Sequence, residues 1–284
     1  MPLLDFPPEL LLLIGENLSI KDLSRFLRAN RYLSRLLTPH FHKLAVQAVG
    51  DLSALHWAAR RGHASLAELV LSKGGGLEDF KQGRRILKTP LHIAAAKNHP
   101  DVIRVLAKDG RWINARGRWR NTPLHAAAAK GSPQAIRVLL ELGADMTCIN
   151  VGRETPMRIA AKRGDIDCMK AFIDAGWDFN HERRPGWTVL HQATLGGKEM
   201  VEFLLEHGGK VLIDAQDNSG KTPLHWAVCA EIRWSTENEG VTRTLCYHGA
   251  DTEMKDHRGR TPLDLAIGQE SLTRVLLEHR PVAR

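Results

Sequence analysis

"TPLHAAAAKGSPQAIRVLLELGAD", running from Thr122 to Asp145, is the stretch on which the fold turns. The Thr122 hydroxyl can cap a helix start, and Pro123 suits the first helical position, where no N–H is needed. Leu124 and the alanines that follow make a slim apolar helix that lets a neighbour approach closely. Gly131 stops that helix. Ile136, Leu139 and Leu140 then recur at the i, i+3, i+4 spacing of a second, amphipathic helix. Gly143 supplies the left-handed residue that ends it. The stretch reads as one helical hairpin.

Its opening recurs along the chain as Ser53-Ala-Leu-His56, Thr89-Pro-Leu-His92, Thr122-Pro-Leu-His125, Thr155-Pro-Met-Arg158, Thr188-Val-Leu-His191, Thr222-Pro-Leu-His225 and Thr261-Pro-Leu-Asp264. These copies start 36, 33, 33, 33, 34 and 39 residues apart, a period that indicates a stacked array. Gly110, Gly176, Gly208 and Gly249 recur where Gly143 stands. The unit closely resembles the ankyrin repeat, with its T-P-L-H opening and G-A-D close, over residues 52–280. The resemblance implies an all-α solenoid of about seven repeats, stacked in an L-shape with hairpin fingers and a concave helical face, that serves as a binding scaffold. No single repeat can bury its apolar face alone, so the array is one cooperative body.

Several copies depart from the pattern. Repeat four has Met157 and Arg158 where Leu and His are expected, repeat five has Val189 for Pro, and repeat seven has Asp264 for His. The sixth is lengthened by "AEIRWSTENEG" (Ala230–Gly240), which predicts either a longer helix or a loop between its two helices. Such insertions often mark the working face. The last copy, closing on "SLTRVLLEHR", also serves as the C-terminal cap.

The chemistry of the chain points away from catalysis. At 284 residues, with 43% hydrophobic and 25% charged side chains, the composition is that of a soluble folded protein. No stretch approaches the ~18 apolar residues needed to span a bilayer. With no secretory leader at the start, the chain reads as intracellular. Cys148, Cys168, Cys229 and Cys246 have neither zinc-finger nor C-x-x-C spacing and read as reduced structural thiols. The evenly spaced His56, His92, His125, His191 and His225 suggest a metal row, but neighbouring helices sit ~8–10 Å apart while a metal needs ligands at ~2 Å. Each histidine is therefore expected to bond the adjacent turn. "AQDNSGKT" (Ala215–Thr222) ends like a phosphate-binding loop but lacks its first glycine and its strand–helix context. The expectation is a non-enzyme with no catalytic residue, cofactor or metal.

Charge is the better clue to partners. The formal net charge is +8, and residues 51–120 alone carry 14 basic and 6 acidic side chains. "FKQGRRILK" (Phe80–Lys88) and "GRWINARGRWRN" (Gly110–Asn121) each precede a repeat opening, where the fingers of neighbouring repeats would lie. Arg84, Arg85, Arg116, Arg118 and Arg120 are expected to converge there, with Trp112 and Trp119 among them. Arg153, then Arg183 and Arg184 beside Trp187, extend the row. Arg and Trp are the residue types most enriched at interface hot spots, so these side chains are candidate contacts for an acidic or phosphorylated protein target. The alternative is a merely solvated loop surface. Nucleic acid is disfavoured, because no recognised reading motif accompanies the charge.

"DFPPELLLLIGENLSIKDLSRFLRANRYLSRLL" (Asp5–Leu37) matches none of the repeats. Pro7 and Pro8 set the start of a first helix, Ser19 and Asp22 cap a second, and Asn30 a third that Pro39 closes. Their leucines are more than three short helices can bury among themselves, so the segment needs a partner surface. Phe6-Pro7-Pro8-Glu9-Leu10, then Asp22-Leu23 and Asn30-Arg31-Tyr32, resemble the F-box, over residues 3–45. Phe6 stands where that motif has Leu, and the usual third-helix ending is only loosely matched by Ser34-Arg35-Leu36. The resemblance implies docking on a Skp-type adaptor and through it on a cullin ubiquitin ligase of SCF type, with Pro7, Pro8, Leu10, Leu23 and Leu27 as the adaptor contacts. The repeats would then select the substrate. The alternative is a plain ankyrin scaffold whose opening helices only cap the first repeat, since end repeats need a cap.

Overall fold

The computed structural model describes residues 50–72, 88–110, 112–179, 186–229 and 237–279. The F-box-like segment, with Pro7, Pro8, Leu10, Leu23 and Leu27, lies outside the described residues, as do Arg84, Arg85, Arg183 and Arg184. The described residues form seven helical pairs and no strand. In chain order these are α1 (Gly50–Arg61) with α2 (Ala64–Ser72), α3 (Pro90–Ala96) with α4 (Pro100–Leu106), and α5 (Pro123–Lys130) with α6 (Pro133–Glu141). Next come α7 (Pro156–Lys162) with α8 (Ile166–Asp174), and α9 (Val189–Ala193) with α10 (Lys198–Glu206). Last are α11 (Pro223–Val228) with α12 (Glu237–Tyr247), and α13 (Pro262–Leu265) with α14 (Glu270–Glu278). The first helices stack in one layer, α1 through α13, each on the next. The second helices pack behind them, as α2–α4–α6–α8 and again as α10–α12–α14.

The first layer is thin because its sequence is small. Ala58 and Ala59, Ala94 and Ala95, Ala127 and Ala128, and Ala160 and Ala161 are all fully buried at the same two positions of successive repeats. With only a methyl group between backbones, the helices come close and the repeat stays short. The second layer supplies the bulk, with Leu66, Ile103, Ile136, Leu139, Met169, Phe172 and Leu204 fully buried. One continuous core results, shared across all seven pairs. Some of the extra length of repeat six goes into α12, which has 11 residues against 9 in α10.

Five of the repeat openings are capping boxes. In four of the histidine repeats, Thr89, Thr122, Thr188 and Thr222 accept the backbone N–H of His92, His125, His191 and His225, and each imidazole reaches back to the threonine. Nδ1 of His125 accepts from the Thr122 N–H at 3.1 Å and from its hydroxyl at 2.8 Å, so the proton of the neutral ring sits on Nε2. That Nε2–H donates to the carbonyl just before the next threonine, Glu154 O, at 3.0 Å. His92 does the same to Asn121, His191 to Lys221 and His225 to Arg260, at 2.8, 3.0 and 3.0 Å. The histidine row therefore ties each histidine repeat to the finger of the next. Burial is the main reason that His92, His125, His191 and His225 all resist protonation, with His191 pushed down to about 4. In repeat seven Asp264 fills the histidine role within its own box, accepting from the Thr261 N–H at 2.8 Å.

Candidate functional site

The fingers precede each threonine and are closed by short internal bonds. In the finger before α11, one Asp217 oxygen accepts the N–H groups of Ser219 and Lys221, at 2.7 and 3.0 Å, while Gly220 N–H goes to the Asp217 carbonyl. The N–H groups that a phosphate loop would present are thus consumed inside the turn. Lys221 and Thr222 simply open a repeat. Neighbouring fingers are laced together sideways: Val151 N–H donates to Trp119 O at 2.9 Å, and His257 N–H to Ser219 O at 2.9 Å.

The basic finger before α5 is exposed. Trp119 and Arg120 sit in the left-handed region, at φ 60° and 59°. Trp119 is 59% exposed and carries the Arg118 guanidinium 5.0 Å above its ring. Arg116, Arg118 and Arg120 are exposed with it. The adjoining finger adds Ile149 and Val151, at 44% and 59% exposure, so an apolar ridge flanked by arginines spans two fingers. Trp112 stands apart: it is half-buried and packs on the core. Trp187 is half-buried too, its ring centroid 4.4 Å from that of Trp226 in an edge-on contact. Sequence spacing gives the position of a tryptophan but not the direction of its side chain.

A groove of about 670 Å³ opens between repeats four and five, along α7 and α9 and beneath their fingers. Among the described residues Arg153, Arg158, Lys162, Glu154, Trp177 and Trp187 line it. Arg158 stands where the other repeats have their capping histidine, and its guanidinium donates to Arg153 O at 3.2 Å, within its own finger. Lys162 stands where repeats three and five have Ala129 and Leu195. Arg158 is legible as a departure from the repeat, Lys162 is not, since repeat one carries Arg60 at that position, and only the stacking shows that the two share a wall.

Among the described residues no group of three or more His, Cys, Asp or Glu side chains could hold a metal ion, and no helix is long and apolar enough to cross a membrane. Cys168 and Cys246 are buried, and burial pushes their thiols up to about 12 and about 11, so neither is a nucleophile.

The family model described as ankyrin repeats matches three times, over residues 28–116, 55–150 and 157–256. The chain is 34% identical over 103 residues to the human BCL-6 corepressor-like protein 1, covering 36% of this chain and 5% of that protein. It is 35% identical over 98 residues to a putative ankyrin repeat protein of Rickettsia bellii, covering 33% of this chain and 50% of the relative. It thus spans half or less of the length of these two relatives. Among solved structures it resembles the ankyrin repeat domain of Bcl-3, with a TM-score of 0.65 and 26% identity over 79% of this chain and 97% of that one. The human ASB11 ankyrin repeat domain is as similar, with a TM-score of 0.65 and 27% identity over 81% and 99%. With matches that span most of its length and a stack of capped helix pairs to account for them, the chain belongs to the ankyrin-repeat family.

Proposed function

We propose that this ankyrin scaffold is the target-binding part of an SCF-type ubiquitin ligase, held to a Skp-type adaptor by its opening segment. The observation that carries the target-binding half is the finger surface. Trp119, Ile149 and Val151 expose apolar area beside Arg116, Arg118 and Arg120, the pairing of residue types that interface hot spots favour. An acidic or phosphorylated protein segment is the complementary partner. The adaptor half rests on the F-box resemblance of residues 3–45, with Pro7, Pro8, Leu10, Leu23 and Leu27 as contacts. The mechanism is proximity: the array holds the target while other subunits transfer ubiquitin.

A second reading, a plain scaffold whose first helices only cap the array, is favoured by one specific observation. The first ankyrin match begins at Arg28, inside the F-box-like stretch. Co-purification separates the two readings. The ligase reading expects the wild-type chain to bring down a Skp-type adaptor and a cullin, and a variant with Pro7→Ala and Leu10→Asp to lose both. The cap reading expects no adaptor with either chain and a lower melting temperature for the variant.

A further inference from the structure

We propose that the seam between repeats four and five is a hinge, about which the array bends as two blocks. The packing of the two layers is the first reason. Every neighbouring pair of second helices packs closely except α8 and α10, so the outer layer is split into the runs α2–α4–α6–α8 and α10–α12–α14. The inner layer is unbroken at the same place, where α7 packs on α9 as closely as α5 does on α7. Contact is thus kept on one side of the seam and lost on the other, the geometry of a spine with a free edge. The spine is glycine on glycine: Gly164 and Gly196 press so near the facing backbone that neither has room for a Cβ. Backbone against backbone leaves no interlocked side chains to be released as the angle changes.

The second reason is what stands at the free edge. Trp177, just past the end of α8, takes the place of the buried Ala144 of repeat three and Ala250 of repeat six. Phe179 follows it and is buried, with its ring 3.4 Å from where a Cβ on Gly208 would lie, just past the end of α10. Aromatic bulk at the ends of both helices therefore replaces Ala144 and Met146 of repeat three, and acts as a wedge. The brace across the edge is missing too. Arg104 of α4 reaches Glu141 of α6 at 2.8 Å, and Arg243 of α12 reaches Glu278 of α14 at 3.4 Å. At the matching position of α8, Lys170 turns to Asp167 on its own helix, at 4.0 Å, rather than to Glu206 of α10. Opening or closing such an edge breaks few contacts, so this seam is where bending is cheapest. The ridge of Trp119, Ile149 and Val151 lies wholly on the first block, and the groove along α7 and α9 spans the joint, so its width follows the angle.

The test is pulsed electron–electron resonance on the full chain, with spin labels carried by an unnatural keto amino acid so that the cysteines stay untouched. Lys108, Asp174, Glu206, Tyr247 and Glu278 occupy equivalent exposed positions of repeats two, four, five, six and seven. Labels at 108 and 174, and at 206 and 278, each span two seams within one block. Labels at 174 and 247 cross the seam between repeats four and five. The hinge predicts a distance distribution for 174 and 247 about twofold or more broader than for the other two pairs. The narrow 206 and 278 pair then clears the seam between repeats five and six, which 174 and 247 also span. Equal widths for all three pairs, narrow or broad, overturn the hinge. Phe179→Met, which puts the residue of repeat three at the wedge, should shorten and narrow the 174 and 247 distribution as α10 settles on α8. A distribution that this variant leaves unchanged also overturns the hinge, since the edge is then not held open as argued. Neither outcome depends on what the array binds.

Discussion

At the scale of single residues, the histidines of the repeat openings carry a pH dependence. Each must be neutral, since Nδ1 accepts a backbone N–H while Nε2 donates to the next finger. His191 is held at about 4 in the folded chain, mainly by burial, against 6.5 for the free side chain. Below pH 6.5 the unfolded chain therefore takes up a proton that the folded chain refuses. Its contribution is complete above pH 6.5, shrinks as pH falls, and is gone once pH drops through about 4. For His191 alone the loss is on the order of 3 kcal/mol, and His92, His125 and His225 act in the same direction. Urea midpoints should fall steadily from pH 7 to pH 4.5; a flat profile would contradict the neutral-histidine ladder. Asp256 adds a later step. Burial raises its carboxyl, but bonds from Arg260 and Arg258 outweigh that and leave it at about 2, so its support is lost only between 3.8 and 2. Removing one rung directly gives a second prediction. His125→Ala breaks the bonds to Thr122 and leaves Glu154 O without its partner, which should cost roughly 2–4 kcal/mol in chemical denaturation.

At the scale of elements, the contact between successive hairpins is set by glycines at the turns, and two of them differ in kind. Gly143 has φ +85° with open space around a would-be Cβ, so Gly143→Ala meets only the left-handed penalty of about 1–2 kcal/mol. Gly196 is the opposite case. A Cβ there would lie 2.0 Å from Ala161 O, and the facing Gly164 would meet Gly196 O at 2.5 Å. Backbone opposes backbone, and no side chain can swing aside. Gly196→Ala should therefore force α7 and α9 apart and cost more than about 3 kcal/mol, well beyond Gly143→Ala in the same thermal melt. Equal losses in the two variants would show that the turns of repeats four and five are not pressed together. The turn glycines of the repeat were readable from its period, since a helix must end somewhere near them. The pinch between Gly164 and Gly196 was not, because it arises from the way one hairpin settles on the next.

At the scale of the whole molecule, the helices, their caps and the histidine bonds to the adjacent turn follow from the local grammar of Thr, Pro, His and Gly, repeated until stacking is the one way to bury the second helices. The site is less local. Arg158 reads as a departure from the repeat and Lys162 draws no notice until two repeats bring them onto one groove wall, and spacing alone does not tell the core-packed Trp112 from the exposed Trp119. The same dependence on neighbours governs stability, because each repeat contributes little alone and is held by its interfaces on both sides. Phe172, fully buried in repeat four, touches the centre of that chain of interfaces, whereas Leu276, 2% exposed, sits on the last helix. Phe172→Ala should cost about 3–5 kcal/mol, and Leu276→Ala about 2–5. Their reach should differ more than their size. With the middle interface weakened, hydrogen exchange should rise in α7 and α8 and spread to α5, α6, α9 and α10, since those helices lose a supporting face. With the end weakened, faster exchange should stay within α13 and α14, and the remaining pairs should keep wild-type protection. Exchange that rises evenly along the array in both variants would instead mark a single all-or-none unit, in which no interface can be loosened without the rest.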